Sequence, residues 1–159
     1  MSERRNVFAN DWEDLYPQIE GWRSNARRLV ARGHTLGMSV YELQAHQTQC
    51  PYHFHHGNEE LILVLRGRPT LRTPDGEREL EPGDVVHFPI GPGGAHHVVN
   101  RTDEPVRYVV ADSKVSPEIV EYPDSGKLAA MAKTPDKPLA TVHRFDREVD
   151  YFEGEQPRA

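Results

Sequence analysis

The sequence has a single cysteine, Cys50, among 159 residues. No disulfide can therefore form within the chain, which fits a reducing compartment. Any apolar run near the roughly 20 residues that a helix needs to cross a bilayer is also missing. The opening stretch, MSERRNVFANDWEDLY, has no apolar segment of the secretory kind. Basic charge is not in excess: 19 Lys and Arg stand against 25 Asp and Glu, a formal net charge of -6. That removes the electrostatic footprint of a nucleic-acid binder. Internal repeats and low-complexity segments are absent too. The expectation is a cytoplasmic protein of one domain, with no nucleic-acid or membrane partner, whose length allows about two-thirds of the unfolded surface to be buried.

The pattern along the chain has three parts. Residues 1–33 are polar, with Trp12, Leu15, Tyr16, Ile19 and Trp22 scattered through them. They read as an arm that packs through its aromatics, and Pro17 and Gly21 limit DWEDLYPQIEGW to a helical turn. Residues 34–114 alternate short β-rich runs (GMSVYEL, ELILVLRG, PTLRT, VVHFP, HHVVN, VRYVVAD) with the turn signals PDG, EPGD and GPGG. This is the pattern of an all-β sandwich or barrel. Residues 115–159 lose the alternation, broken by Pro117, Pro123, Pro135, Pro138 and Pro157. They read as a second arm wrapping the barrel, with a short helix over SGKLAAMAK as the alternative there.

One strand has two apolar faces. Leu61, Leu63 and Leu65 fall on one side; Ile62 and Val64, with Glu60, fall on the other. One face can line the interior. The leucine face needs cover from an arm or a second subunit, so a homodimer is expected.

The chemistry gathers in HFHHGNEE, just ahead of that strand. His53 and His55 point the same way in an extended chain, roughly 6.5 to 7 Å apart, and can converge on one ion. Glu60, across a short turn, can supply an oxygen. A fourth ligand must come from elsewhere, and GPGGAHHVVN offers His96 or His97, of which alternation lets only one face inward. Three imidazoles and a carboxylate suit one divalent transition metal ion per chain (Mn, Fe, Ni, Cu or Zn) rather than Ca or Mg. Four such ligands leave a six-coordinate ion two open positions, but leave a tetrahedral zinc none. His56 reads as a solvated rim residue that can touch substrate. His87, beside Val85, reads as a half-buried, hydrogen-bonded histidine or an acid–base group. His34, His46 and His143 read as surface residues. Arg72 is either edge-strand charge or an anion-binding group, and Cys50 is either a small buried group or a thiol near the site.

The two stretches resemble the motifs of the cupins. The first, G-x5-H-x-H-x4-E-x6-G, is matched by His53, His55, Glu60 and Gly67, with Gln47 in place of the leading glycine. The second, G-x5-P-x-G-x2-H-x3-N, is matched by Gly83, Pro89, Gly91, His96 and Asn100, except that PGGA puts four residues rather than two before the histidine. The segments YPDSGK and DYFEGE extend the likeness to single-domain bacterial cupins with flanking arms, some of which carry a sugar-phosphate isomerase label. The resemblance implies a double-stranded β-helix, or jelly-roll-like barrel, with irregular N- and C-terminal arms. It implies His53, His55, Glu60 and His96 as metal ligands, and leaves out His56 and His97. The function it implies is a metal-dependent isomerase or dioxygenase acting on a small polar metabolite; the alternative is a cupin that binds or senses a small molecule without transforming it.

Overall fold

The computed structural model describes residues 4–13, 19–22, 24–30, 35–133, 137–146, 148–154 and 156. Leu15, Tyr16, Pro17, His34, Pro135, Glu155 and Pro157 lie outside the described residues, as do residues 14–18 in the middle of DWEDLYPQIEGW, where a helical turn is expected. Among the described residues no helix is long and apolar enough to cross a membrane.

The described residues form twelve strands: β1 (Ser24–Arg28), β2 (Leu36–Leu43), β3 (Phe54–His55), β4 (Glu60–Arg66), β5 (Thr70–Thr73), β6 (Gly76–Glu79), β7 (Val85–Phe88), β8 (His97–Val99), β9 (Val106–Ser113), β10 (Glu118–Tyr122), β11 (Lys127–Ala132) and β12 (Leu139–Arg144). Five of them make one antiparallel sheet in the order β1-β2-β9-β4-β7. The strands opposite form a four-stranded group, β12-β11-β10-β3, and a three-stranded group, β6-β5-β8. The sheets do not close into a continuous ring. What joins the two smaller groups is an isolated antiparallel bridge between His53 and His96.

The core lies between the layers. Tyr41, Tyr108 and Val64 sit in register across β2, β9 and β4. With Leu43, Ile62, Phe88 and Val106 they meet Leu71, Leu80 and Val98 from the other layer. Ile62 and Val64 are each 1% exposed; burying such a side chain contributes about 1.5–3 kcal/mol. The alternation read from ELILVLRG therefore holds, with Glu60 carried inward beside its apolar neighbours.

The outer face of the large sheet is covered in part. Residues 6–13 cross it, held by two arginines. Arg27 donates to the Asn6 carbonyl and pairs with Asp11 at 3.3 Å. Arg107 pairs with Glu42 at 2.5 Å, bonds Asn10 at 2.7 Å and lies over the Trp12 ring. Beneath them Val40 and Val109 are buried. Nearer the edge strand β7, Leu61, Leu63 and Leu65 stay half-buried and Val85 is 58% exposed.

Both stretches expected as irregular arms contribute strands. β1 joins the large sheet, and β10–β12 build the four-stranded group. SGKLAAMAK is strand β11 rather than a helix, because it is paired on both sides, by β10 and β12. Neighbouring strands override the helix propensity of its alanines.

Candidate metal centre

Backbone pairing brings the two histidine segments together. His53 N–H donates to the His96 carbonyl at 3.1 Å, and His96 N–H returns to the His53 carbonyl at 2.9 Å. Residues that exchange both bonds in this way sit directly opposite, about 5.5 Å apart at Cα, with side chains on one face. The PGGA stretch is absorbed by a tight turn at Pro92–Gly94, where Gly94 N–H bonds the Gly91 carbonyl at 3.0 Å. A Cβ at Gly94 would stand 1.8 Å from the Pro89 carbonyl oxygen, so only glycine permits this turn. Asn100 locks the far end: its amide donates to the carbonyls of Leu43, Gln44 and Glu104, and its oxygen accepts from the Thr102 N–H and hydroxyl.

His55 shares the inward face of its strand with His53, two residues away. From the opposite layer, Glu60 at the head of β4 projects into the same space. One of its oxygens, Oε2, lies 3.0 Å from His96 Nε2, 3.5 Å from His55 Nε2 and 3.9 Å from His53 Nε2. One ligand atom each of His53, Glu60 and His96 lies within 4.8 Å of the other two. His55 stands outside that tightest triple but faces the same oxygen. All four side chains are largely buried.

The far side of each ring is also set. The Nδ1–H groups of His53 and His96 have carbonyl acceptors at 2.9 Å, those of Pro51 and Gly94. His55 Nδ1 faces Glu118 Oε1 at 3.5 Å. An acceptor at Nδ1 holds the proton there and leaves the Nε2 lone pair free. Rings cover the cluster: Phe88 stacks on His96 at 3.8 Å and Tyr122 on His53 at 6.0 Å.

Electrostatics follow the packing. Burial, helped by the neighbouring His96 ring, brings His53 down from 6.5 to about 4, so it is neutral at physiological pH. Burial also disfavours a charged His55, but Glu60 and Glu118 outweigh it and the net shift is upward. Burial would raise Glu60, yet the facing imidazoles of His55 and His96 hold it well below the usual carboxylate range. Neither nitrogen of His55 has a well-formed hydrogen bond, and both are buried. Such orphaned atoms are costly. A cation between Glu60 and the three Nε2 atoms would satisfy the inner one, so the residues present fit a transition-metal ion.

Other residues singled out in the sequence lie elsewhere. His56 is on the opposite face of the strand, 2.6 Å from Glu121. His97 also faces away; its Nε2 is 2.9 Å from the Thr48 hydroxyl and its ring stacks on Trp22. His87 was expected to be half-buried, but its side chain is 55% exposed and 3.8 Å from Glu59, because β7 is the sheet's edge and the residue points outward. Arg72 is held by both oxygens of Asp124, at 2.5 and 2.9 Å, and lies over the Tyr52 ring. That pairing gives YPDSGK a structural role: Tyr122 packs on His53 while Asp124 clamps Arg72. His46 pairs with Asp103 on the surface, and His143 is exposed on β12. Cys50 Sγ is 3.7 Å from His53 Nδ1; burial, with some contribution from Glu60, pushes the thiol up to about 12, so it is no nucleophile. The residue that sequence reasoning missed is Glu118. A glutamate following proline in a broken tail carries no spacing signal.

Comparison with known proteins agrees with the fold. Residues 39–112 match the family model described as "Cupin domain". A sugar phosphate isomerase from a cupin superfamily, from Silicibacter pomeroyi, superposes with a TM-score of 0.73 at 24% identity, covering 86% of this chain and 90% of that one. An Acidithiobacillus ferrooxidans protein, described provisionally as a sugar phosphate isomerase, gives 0.64 at 25% identity, covering 73% of this chain and 72% of its own. A polyketide cyclase from Streptomyces resistomycificus gives 0.58 at 23% identity, covering 74% and 84% respectively. No curated protein matches the chain.

Proposed function

We propose, from the match of residues 39–112 to a cupin-domain family model, that the chain is a cupin and a metal-dependent enzyme acting on a small polar metabolite. In this reading one divalent transition-metal ion is held by His53, His55, Glu60 and His96. The observation that carries it is the convergence of three Nε2 atoms on Glu60 Oε2, with an acceptor placed at every Nδ1. Such an ion, when bound, polarises a substrate oxygen and offers positions for it to occupy. The chain's own contribution is to fix the rings from behind and to keep water off the cluster with Phe88 and Tyr122.

Two reaction classes remain, isomerisation and dioxygenation. The name given to the Acidithiobacillus relative makes sugar phosphates the first substrates to try. The test is turnover of a sugar-phosphate and small hydroxy-acid set by metal-loaded protein, with and without oxygen. Turnover that vanishes on chelation and in His96→Ala, yet persists without oxygen, supports the isomerase. Turnover that needs oxygen supports the dioxygenase.

A second reading, non-catalytic binding, draws on the fact that Arg72 and His56 are engaged by Asp124 and Glu121 rather than turned toward the cluster. A metabolite that raises the melting temperature but emerges chemically unchanged with every metal would favour it.

We further propose a homodimer through the outer face of β4 and β7, where half-buried Leu61, Leu63 and Leu65 adjoin exposed Val85. Leu63→Arg should then give monomers by light scattering; a wild-type monomer would contradict it.

A further inference from the structure

Glu118 is a buried acid that the site as described does not use as a ligand. Only 5% of it is exposed. Val120 pairs directly with His55 between β10 and β3, so Glu118, two residues earlier on the same face, is the diagonal neighbour of His55. The only ion pair it makes among the described residues is with His55 Nδ1, at 3.5 Å. Its carboxylate is held by donors on both oxygens. Gly57 N–H donates to Oε1 at 3.3 Å, and the Asn58 amide donates to Oε2. Asn58 is itself buried and fixed, its oxygen accepting from Val115 N–H at 2.6 Å and the Ser113 hydroxyl at 3.3 Å. At Gly57 an added Cβ would stand 3.2 Å from Glu118 Oε2, so glycine lets the carboxylate lie tightly against the turn.

A carboxylate taken from water is costly unless it is paired and hydrogen-bonded, and this one is held by both means. His53 and His96 have carbonyls behind them; His55 alone of the three is backed by a carboxylate. We propose that Glu118, fixed by Gly57 and Asn58, is a positioning residue that holds His55 with its proton on Nδ1 and its Nε2 lone pair toward the ion. The inference rests on the metal reading above and extends it to a residue that touches neither ion nor substrate.

Replacing Glu118 by Gln keeps the shape but sets an amide N–H₂ against the donors of Gly57 or Asn58. The orienting charge is lost, and a change of this kind weakens metal affinity by roughly 10–100-fold. Two readouts test this. The first is the His55 tautomer in metal-free wild type, by long-range ¹H–¹⁵N correlation in mildly alkaline buffer. A proton on Nδ1 is expected, and a proton on Nε2 would overturn the inference whether or not any variant folds. The second is Co²⁺ affinity by chelator competition, with the visible spectrum of the bound ion, for wild type and E118Q. A roughly 10–100-fold loss with an altered spectrum supports the role. Unchanged affinity and spectrum in E118Q, with wild type binding normally, would sink this inference alone. A wild type that takes up no ion would sink the metal reading, and this inference with it.

Discussion

In the metal-free protein, His53→Gln should remove one component of the pH dependence of stability. Burial, with the adjacent His96 ring, brings the His53 imidazole from 6.5 to about 4. As pH falls the unfolded chain takes up a proton near 6.5, which the folded chain refuses until about 4. Between those values the unfolded state binds more protons, so stability decreases as pH decreases. The gap of 6.5 − 4, about 2.5 pH units, at 1.36 kcal/mol each gives ~3 kcal/mol. The loss begins below 6.5 and is complete below about 4. The neighbours behave differently. Burial lowers His55, but Glu60 and Glu118 raise it further, so its contribution is present below 6.5 and disappears as pH rises through its folded value. Glu60, held low by His55 and His96 against burial, loses its contribution only as pH falls through a still lower value. Urea unfolding of wild type and H53Q in chelator, from neutral pH down to about 4, isolates the His53 part. Wild type should lose ~3 kcal/mol more than the variant, equivalent to ~6–12 °C in melting temperature for a chain of this length. Parallel curves would refute the burial argument for His53.

Three further outcomes are expected. Cys50, raised from 9.0 to about 12 by burial, should alkylate roughly a thousandfold more slowly in native protein than in denaturant; equal rates would show the thiol to be open. Asn100→Ala leaves three buried or partly buried carbonyls and an N–H without this partner and should cost about 3 kcal/mol in urea unfolding. A change within error would contradict that account of the motif asparagine. Arg72 and Asp124 are solvent-facing, so a double-mutant cycle should give coupling below ~1 kcal/mol with metal content unchanged; loss of substrate affinity in Arg72→Ala would return that arginine to the site.

The sequence was most legible where alternation met short-range spacing. The inward set Glu60, Ile62 and Val64 could be read because a strand repeats every two residues, and His53 and His55 share a face for the same reason. Choosing His96 over His97 needed the motif resemblance, since alternation alone allows either. What could not be read depends on pairing partners distant in sequence. β11 has alanines that suit a helix, and it is a strand because β10 and β12 flank it. His87 looked half-buried from its apolar neighbours, but β7 is an edge strand whose outer face is left exposed there by the described residues. Glu118 reaches His55 only through the β3–β10 pairing, and no local pattern announces it.

Metal content tests the central claim most directly. Protein purified without oxygen and loaded with each candidate ion in turn is assayed by elemental analysis for wild type, His53→Ala and His96→Ala. One transition-metal ion per wild-type chain is predicted, with a loss in both variants while the fold is retained by circular dichroism. Wild type with no bound ion, or variants that retain it at full stoichiometry, would contradict the account.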